Sequence, residues 1–457
     1  MSHRESSVHW AAAWSLSVLV AGLVPVPCAG QQGSPAGAVP VARLQARRAA
    51  LLDSLGSAVA VLRSADLRDL EGDYPQDSDF RQANDFFYLT GLETAGSWLV
   101  LVAHPDAPDE SILYLPPRDS AAEIWTGPTL GPGPEAAALT GILQVRPATE
   151  LQSDLAALIP PSGRVVAELG PTAPDTAAVQ ALFSPNAVQT VGDLRLTIGQ
   201  LRLIKDSDEM VRLRRAIAIT TQALREAMQT ESPGQYEYEI EATIEASFRR
   251  GGAERVGFPT IVGSGPNSTT LHYDKNRRQA RRGDLVVADV GAEFGYYTAD
   301  VTRTFPAGGK FTPRQRAIYE LVLATQQTAI DSVRPGLTVQ ALNRIARAYM
   351  RTHSGTLCGE ATCDHFFPHG LSHWLGMDVH DVGDYATPLA PGMVLTVEPG
   401  IYLPAESLGV RIEDDVLVTA TGHELLSGTA PRRPDDIEKL MAEGAKRRAA
   451  CVATRKP

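Results

Sequence analysis

The chain has few cysteines, no surplus of positive charge and almost no long apolar run, and each shortage removes a class of protein. Four cysteines in 457 residues do not make a disulfide-built scaffold. None of them stands in the doubled pairs that a thiolate zinc site requires. Lys and Arg number 42 against 53 Asp and Glu, a net charge of −11, which argues against nucleic acid or an anionic membrane as the main partner. The only extended apolar run lies between Trp10 and Val24, and at about fifteen residues it is short for a membrane span. What remains is ordinary for a soluble globular protein, with 44% hydrophobic and 21% charged residues. The length is too great for one compact core, so two domains are expected.

The apolar run has the character of a secretory signal. Arg4 precedes it, Pro25-Val26-Pro27 closes it, and Cys28-Ala29-Gly30 offers small residues for cleavage before Gln31. The expectation is a signal peptide over 1–30, a flexible Gly/Pro/Ala leader over 31–40, and an exported protein, periplasmic or secreted; an uncleaved anchor is the alternative. Pro27 disfavours a lipoprotein cysteine at Cys28. The exported chain would keep Cys358, Cys363 and Cys451. Cys358 and Cys363, in CGEATC, either close a small loop by a disulfide or stay as two free thiols in a flexible segment. Cys451 falls in a basic tail, 441–457.

From Val41 a helical pattern leads into the apolar run Ala58 to Leu62, and strand-like runs follow at Phe86 to Gly91, Trp98 to Val102 and Ile112 to Leu115. Helical stretches are expected at Thr149 to Leu158 and Thr176 to Leu182, with a strand at Val165 to Ala167. This first domain, 41–198, is alternating α/β and holds no cluster of His, Cys and carboxylates. A second regime, 203–440, opens with Ser207 as helix N-cap and acidic Asp208 and Glu209 in the first turn. Helices follow to about Thr230 and from Glu237 to Arg250. A second helix pair runs from Pro313 to Val333 and from Val339 to Arg351, which suggests an internally duplicated unit.

Four of the ten histidines fall in HFFPHGLSHWLGMDVHDVG, His365 to Gly383. Carboxylates elsewhere give this stretch meaning. In LVVADVGAEFGYYTADVTRTF, a hairpin candidate turning at Glu293-Phe294-Gly295, Asp289 interrupts an apolar strand and Asp300 is expected opposite it. Two buried carboxylates facing each other repel unless a cation or arginines such as Arg281, Arg282 or Arg303 intervene. Glu398 ends the apolar strand VLTVEPG, and Arg411 and Glu413, two apart, would share one face of a strand. Asp289, Asp300, His373, Glu398 and Glu413 together form an oxygen-rich donor set with one imidazole. Such a set suits Mn²⁺, Fe²⁺ or Co²⁺. Four carboxylates carry enough charge for two ions, and paired ions with a shared hydroxide make a hydrolytic centre.

The spaced set LHY, DVGAEFGYYTADVTRTF, HGLSHWLGMDVHDVG, VEPGIY and RIEDD resembles the pita-bread metallopeptidases, over about Leu203 to Leu440. Asn84-Asp-Phe-Phe-Tyr-Leu-Thr-Gly91 resembles the amino-terminal domain shared by creatinase, prolidase and aminopeptidase P. The fold this implies is α/β (α+β), a creatinase/prolidase-like α/β domain followed by a pseudo-symmetric pita-bread catalytic domain. The resemblance implies two divalent ions, Mn²⁺ foremost, with Co²⁺, Fe²⁺ or Zn²⁺ as alternatives. Asp300 and Glu413 would bridge them, Asp289 would complete one shell, and His373 and Glu398 the other. It further implies that Glu398 handles the proton of a metal-bridging hydroxide, that His272, His369 and His380 hold substrate and intermediate, and that Arg411 supports the carboxylates. Tyr402 is a further contact, and His365 has no role. The activity implied is hydrolysis of an amino-terminal Xaa-Pro bond in small peptides by a homo-oligomer. The motifs lie nearest the aminopeptidase P form, with prolidase next. A ligand-free, peptide-binding member of the fold and a creatinase-like enzyme without metal are the contrasting readings. The complete donor set speaks against both.

Overall fold

The computed structural model describes residues 36–67, 80–159, 164–169, 176–183 and 191–454. The signal-like run and most of the leader therefore lie outside the described residues.

The first domain is built on a mixed six-stranded sheet. Its strands lie side by side as Gln144–Pro147, Glu110–Leu115, Trp98–Ala103, Ala58–Arg63, Val165–Ala167 and Val191–Asp193. Strand side chains alternate between faces, and here both faces are buried. Val59, Val61, Val100 and Val102 pack with Leu151, Leu155, Val179 and Phe183 on the outer side. Ala58, Ala60, Leu62, Leu99 and Leu101 face the other way and join the core that continues into the second domain. The sheet is thus a wall shared with the second domain.

The run Phe86 to Gly91 is a helix, Asn84–Thr90, and not the strand that its apolar character suggested. A short continuous apolar run does not distinguish the two when every side chain is buried. Gly91 ends it in a left-handed conformation, φ 67°. Its last turn is held by buried Arg48, whose guanidinium donates to Leu89 O at 2.7 Å and to Thr140 O at 2.8 Å. Arg48 thereby caps the C-terminal ends of two helices with positive charge. On the other side, Phe87 stacks on Tyr296 of the second domain at 3.7 Å between centroids.

The second domain repeats one plan. The helices Ser207–Thr230 and Glu237–Gly251 precede an antiparallel sheet of Ile261–Ser264, Leu285–Val290 and Val301–Pro306. The helices Pro313–Ser332 and Val339–His353 precede a second such sheet of Val394–Val397, Asp414–Val418 and His423–Leu425. The cap of the first helix is Asp206, one residue ahead of the expected Ser207. Its carboxylate accepts from the N–H groups of Asp208 and Glu209, while Glu209 reaches back to the Asp206 N–H. Ser207 instead accepts from Arg43 of the first domain at 2.7 Å.

The two sheets meet where Arg411–Glu413 runs beside Thr302–Thr304. Glu413 N–H donates to Thr302 O at 3.1 Å, and Thr304 Oγ1 donates to Arg411 O at 2.8 Å. Beneath this seam Arg303, fully buried, donates to Asp414 at 2.7 Å and to the carbonyls of Thr302, Glu413 and Ala430. Cys358 and Cys363 are joined by a disulfide. The residues from 441 that read as a basic tail continue the helix Pro434–Thr454. Their alanines, lysines and arginines are good helix formers, and Gly444 lets the helix close on the Gln229 backbone, where a Cβ would come within 2.0 Å.

Removing one partner of a buried ion pair strands the other charge. Arg303→Ala is therefore expected to cost about 3–5 kcal/mol in urea unfolding; a loss below about 1 kcal/mol would show that the seam holds without it.

Candidate metal centre

Each half contributes donors to a cavity of about 590 Å³ at the seam. Asp289 comes from the central strand of the first sheet, and Asp300 sits one residue ahead of the returning strand. The strands pair Asp289 with Thr302, so the two aspartates are not directly opposed as the hairpin reading had it. The connection also turns later than expected, at Gly295-Tyr296, because Ala292–Phe294 and Tyr297–Thr298 pair in a separate sheet. Glu398 follows Val394–Val397 directly, and Glu413 lies between Leu408–Arg411 and Asp414–Val418. Arg411 and Glu413 thus do not share one strand, and they take different partners. His373 is placed by Trp374, which bridges to Leu395, and by its N–H bond to Thr396 Oγ1 at 3.2 Å.

These side chains converge. His373 Nε2 stands 3.3 Å from Asp300 Oδ2, 3.4 Å from Glu398 Oε1 and 4.0 Å from Glu413 Oε1. His373 Nδ1 lies 3.0 Å from Trp374 O, a pure acceptor. Nδ1 is therefore the donor in that bond, and Nε2 is the ring atom that faces the carboxylates. One donor atom each from Asp300, His373 and Glu413 falls within 4.8 Å of the others. Asp289 Oδ1, Asp300 Oδ1 and Glu413 Oε1 are buried with no hydrogen-bond partner. Buried carboxylate oxygens without a hydrogen-bond partner, clustered beside an imidazole, fit divalent cations and are costly without them.

The electrostatics agree. Burial, then neighbouring Asp289 and Glu398, push Asp300 well above the carboxylate range. Burial, then Asp300, do the same for Glu413. Glu398 is pushed up to about 7, chiefly by burial, against the pull of His373 and Arg411.

Arg411 Nη2 pairs with Asp289 Oδ2 at 2.6 Å, a partner that the sequence reading had sought among Arg281, Arg282 and Arg303. Arg411 Nη1 also donates to Tyr402 Oη at 2.9 Å, and Tyr402 Oη lies 2.9 Å from His369 Nε2. The other ring nitrogen, Nδ1, faces Gly370 O at 2.8 Å. The proton order is then fixed: Arg411 donates to tyrosine, tyrosine to Nε2, and Nδ1–H to the carbonyl. His369 is held neutral, its pKa lowered to about 4 by burial and Arg411. His272 and His380 line the cavity, and the His380 ring meets that of His373 edge-on at 4.3 Å. His365 is exposed, with its ring edge-on to Phe366.

Other lining residues escaped the sequence reading. Phe258, Pro259, Ile261, Leu271, Val379 and Tyr385 form apolar wall; no pattern separates such side chains from core. Thr302, whose hydroxyl donates to Glu413 Oε2 at 2.6 Å, and buried Asp415 beside Asp300 were also missed.

Comparison with known proteins agrees with this geometry. Residues 211–420 match the model of metallopeptidase family M24, and 44–166 match that of the aminopeptidase P N-terminal domain. The Xaa-Pro aminopeptidase of Escherichia coli K12 is 37% identical over 88% of this chain and 98% of its own. The human Xaa-Pro aminopeptidase 3 is 34% identical over 80% and 78%. Among solved structures, zinc-substituted E. coli aminopeptidase P in complex with product superposes with a TM-score of 0.82 at 35% identity, covering 89% of this chain and 99% of that one. Proline aminopeptidase P II from Yersinia pestis gives 0.80 at 36%, covering 88% and 100%.

A carboxyl whose folded pKa exceeds its unfolded value adds stability at low pH that is lost as pH rises toward the folded value. Between about pH 7 and 8 His369 and His380, both lowered by burial, are neutral in the folded and the unfolded state, so the raised carboxyls of Asp300, Glu398 and Glu413 set the direction of the pH dependence. Chelator-treated protein is expected to lose urea stability across that window, and a saturating divalent ion should flatten the slope. Equal slopes with and without the ion would contradict the cluster.

Proposed function

Since the chain belongs to metallopeptidase family M24, we propose that it is a metallo-aminopeptidase that removes the amino-terminal residue of peptides with proline in second place. One observation carries the reading: in a chain alignable with Xaa-Pro aminopeptidases over most of its length, buried carboxylates and one imidazole converge with their free oxygens turned into a cavity. The residues that would hold two divalent ions are Asp289, Asp300, His373, Glu398 and Glu413. Mn²⁺ is the ion proposed; a zinc-substituted relative shows that the class of site accepts others. When bound, such ions polarise a carbonyl and make water nucleophilic near neutral pH.

The substrate's prolyl nitrogen carries no hydrogen, so a site that grips the scissile N–H has nothing to hold. This cavity offers shape and charge instead. Phe258, Ile261, Leu271 and Val379 give apolar wall for a ring, and carboxylates give anchorage for an α-ammonium group. Glu398, at the end of its strand and lining the cavity, is placed to take a proton from the attacking water and hand it to the leaving nitrogen. His380 and His272 also line the cavity and supply N–H donors for the oxygen that gains charge. Tyr402 and Arg411 keep His369 in one tautomer and Asp289 in one direction.

With Mn²⁺ added, Xaa-Pro-Xaa tripeptides should be cleaved, and Xaa-Pro dipeptides and Xaa-Ala-Xaa controls much more slowly. Strict preference for dipeptides would make the protein a prolidase instead, and no turnover of any proline peptide would remove the reading.

The proposal extends to location. The apolar run ahead of Gln31 and a disulfide between Cys358 and Cys363 suit an oxidising compartment outside the cytoplasm. Fractionation of producing cells should recover the chain outside the cytoplasm with its amino terminus near Gln31. Cytoplasmic recovery with Met1 intact would refute export.

A further inference from the structure

Behind the cavity lies a second cluster of charges that the chemistry above does not use. Arg202, 2% exposed near the end of the helix Arg195–Leu203, makes three ion pairs. Its Nη1 donates to Asp85 at 2.7 Å, and its Nη2 to Asp381 at 2.5 Å and to Asp378 at 3.1 Å. Lys205 Nζ donates to the second oxygen of Asp381 at 3.0 Å and to Arg202 O at 2.7 Å. Asp381 is therefore clamped by two cations, both from the segment that joins the domains. Asp85 belongs to the helix Asn84–Thr90 of the first domain, so Arg202 links that domain to the residue that follows His380.

The local backbone shows what Asp381 organises. The loop from His373 to His380 is wrapped around its carboxylate. Asp381 N–H returns to Trp374 O at 2.9 Å, Asp378 N–H points at Asp381 Oδ1 at 3.4 Å, and Gly376 N–H bonds Asp378 O at 3.2 Å. The backbone at Gly376 passes so close that a Cβ there would stand 2.1 Å from Asp381 Oδ2. The same glycine's carbonyl accepts from Thr298 N–H at 2.9 Å, which fixes the loop to the strand pair leading into Asp300. His373 and His380 are the two stems of this loop, and their rings meet at 4.3 Å. Buried ion clusters are seldom needed for stability alone, since apolar replacements of equal volume serve as well. What this cluster supplies is a fixed direction for one stem relative to the other.

We propose that Asp381, clamped by Arg202 and Lys205 and tied through Arg202 to Asp85, is the positioning residue that holds His380 over the cavity, so that the first domain takes part in the reaction. The proposal deepens the reading of the cavity as a peptidase site and rests on it for the activity readout. Asp381 touches no substrate; it acts through His380. The first domain is then more than a wall, because loosening its hold on Arg202 loosens a group that faces the substrate.

The test is a double-mutant cycle on the Mn²⁺-loaded, full-length protein with an Xaa-Pro-Xaa tripeptide. Asp381→Asn is expected to lower kcat by about 10–100-fold, the range for groups that orient active-site side chains, with KM near the parent value. In a His380→Ala background the same change should cost nothing further, because the group it positions is gone. Losses that multiply, or an unchanged kcat in Asp381→Asn, overturn the proposal. Asp85→Asn, which leaves the loop's own bonds in place, gives the second arm should Asp381→Asn fold poorly. It should lower kcat in the same sense, with Arg202→Lys intermediate between it and the parent. A third readout needs no turnover. In metal-free protein the ring signals of His380, assigned by their loss in His380→Ala, should move or broaden in Asp381→Asn and Asp85→Asn. Unmoved signals overturn the proposal even if the parent cleaves no proline peptide, whereas moved signals with an inactive parent condemn only the peptidase reading.

Discussion

Everything at the centre of this protein answers to one constraint: Asp289, Asp300, Glu398 and Glu413 are forced into a small volume around His373. Left to themselves, burial and mutual repulsion drive the pKa values of Asp300, Glu398 and Glu413 upward. Divalent cations reverse that, and the surroundings are arranged to keep the oxygens turned inward. Arg411 takes one oxygen of Asp289, the Thr302 hydroxyl takes one of Glu413, and in each residue the second oxygen is left unpartnered. A cluster that folded most stably would have paired both oxygens. Leaving one free on each is the mark of a site made to bind.

The repeated plan of the second domain explains how such a cluster is assembled. Neither sheet alone carries the donor set. Asp289 and Asp300 belong to the first, Glu398 and Glu413 to the second, and the seam between Thr302–Thr304 and Arg411–Glu413 brings them to one point. Arg303 neutralises Asp414 on the far side of that seam, so the alternating aspartates of the strand Asp414–Val418 meet different demands. Asp414 is paired for structure, whereas Asp415 accepts from the Asp300 N–H at 3.4 Å and helps to push the Asp300 carboxyl up. The same logic recurs at Asp381, where two cations hold a loop whose stems are His373 and His380. Charge that is buried and paired gives direction; charge that is buried and unpaired gives affinity.

The family membership places the molecule among the M24 metallopeptidases, and the amino-terminal match extends the likeness beyond the catalytic half. The contact between the two halves is intimate. Arg47 reaches the cap residue Asp206 at 2.9 Å, Phe87 stacks on Tyr296, and Arg81 pairs with Glu293 at 2.8 Å. A domain without chemistry of its own thus braces the elements that carry it.

The candidate donors and most of the scaffold were legible in the sequence. A carboxylate within or at the edge of an apolar strand is conspicuous because it is costly to bury, so Asp289 and, at strand ends, Asp300, Glu398 and Glu413 stood out without coordinates. Helices with strong periodicity and Pro or Gly stops, such as Pro313–Ser332 and Val339–His353, had legible limits for the same local reasons. Tertiary structure alone decided what depends on distant neighbours. It made a helix of Asn84–Thr90, because a fully buried apolar run suits either geometry. It chose Asp206 over Ser207 as cap, because Arg43 claimed the serine hydroxyl. It gave Asp289 to Arg411 across 122 positions and Asp85 to Arg202 across 117. It also joined Cys358 to Cys363, which spacing had left open. Local patterns report what a residue costs to bury; only the folded chain shows which other residue offsets that cost.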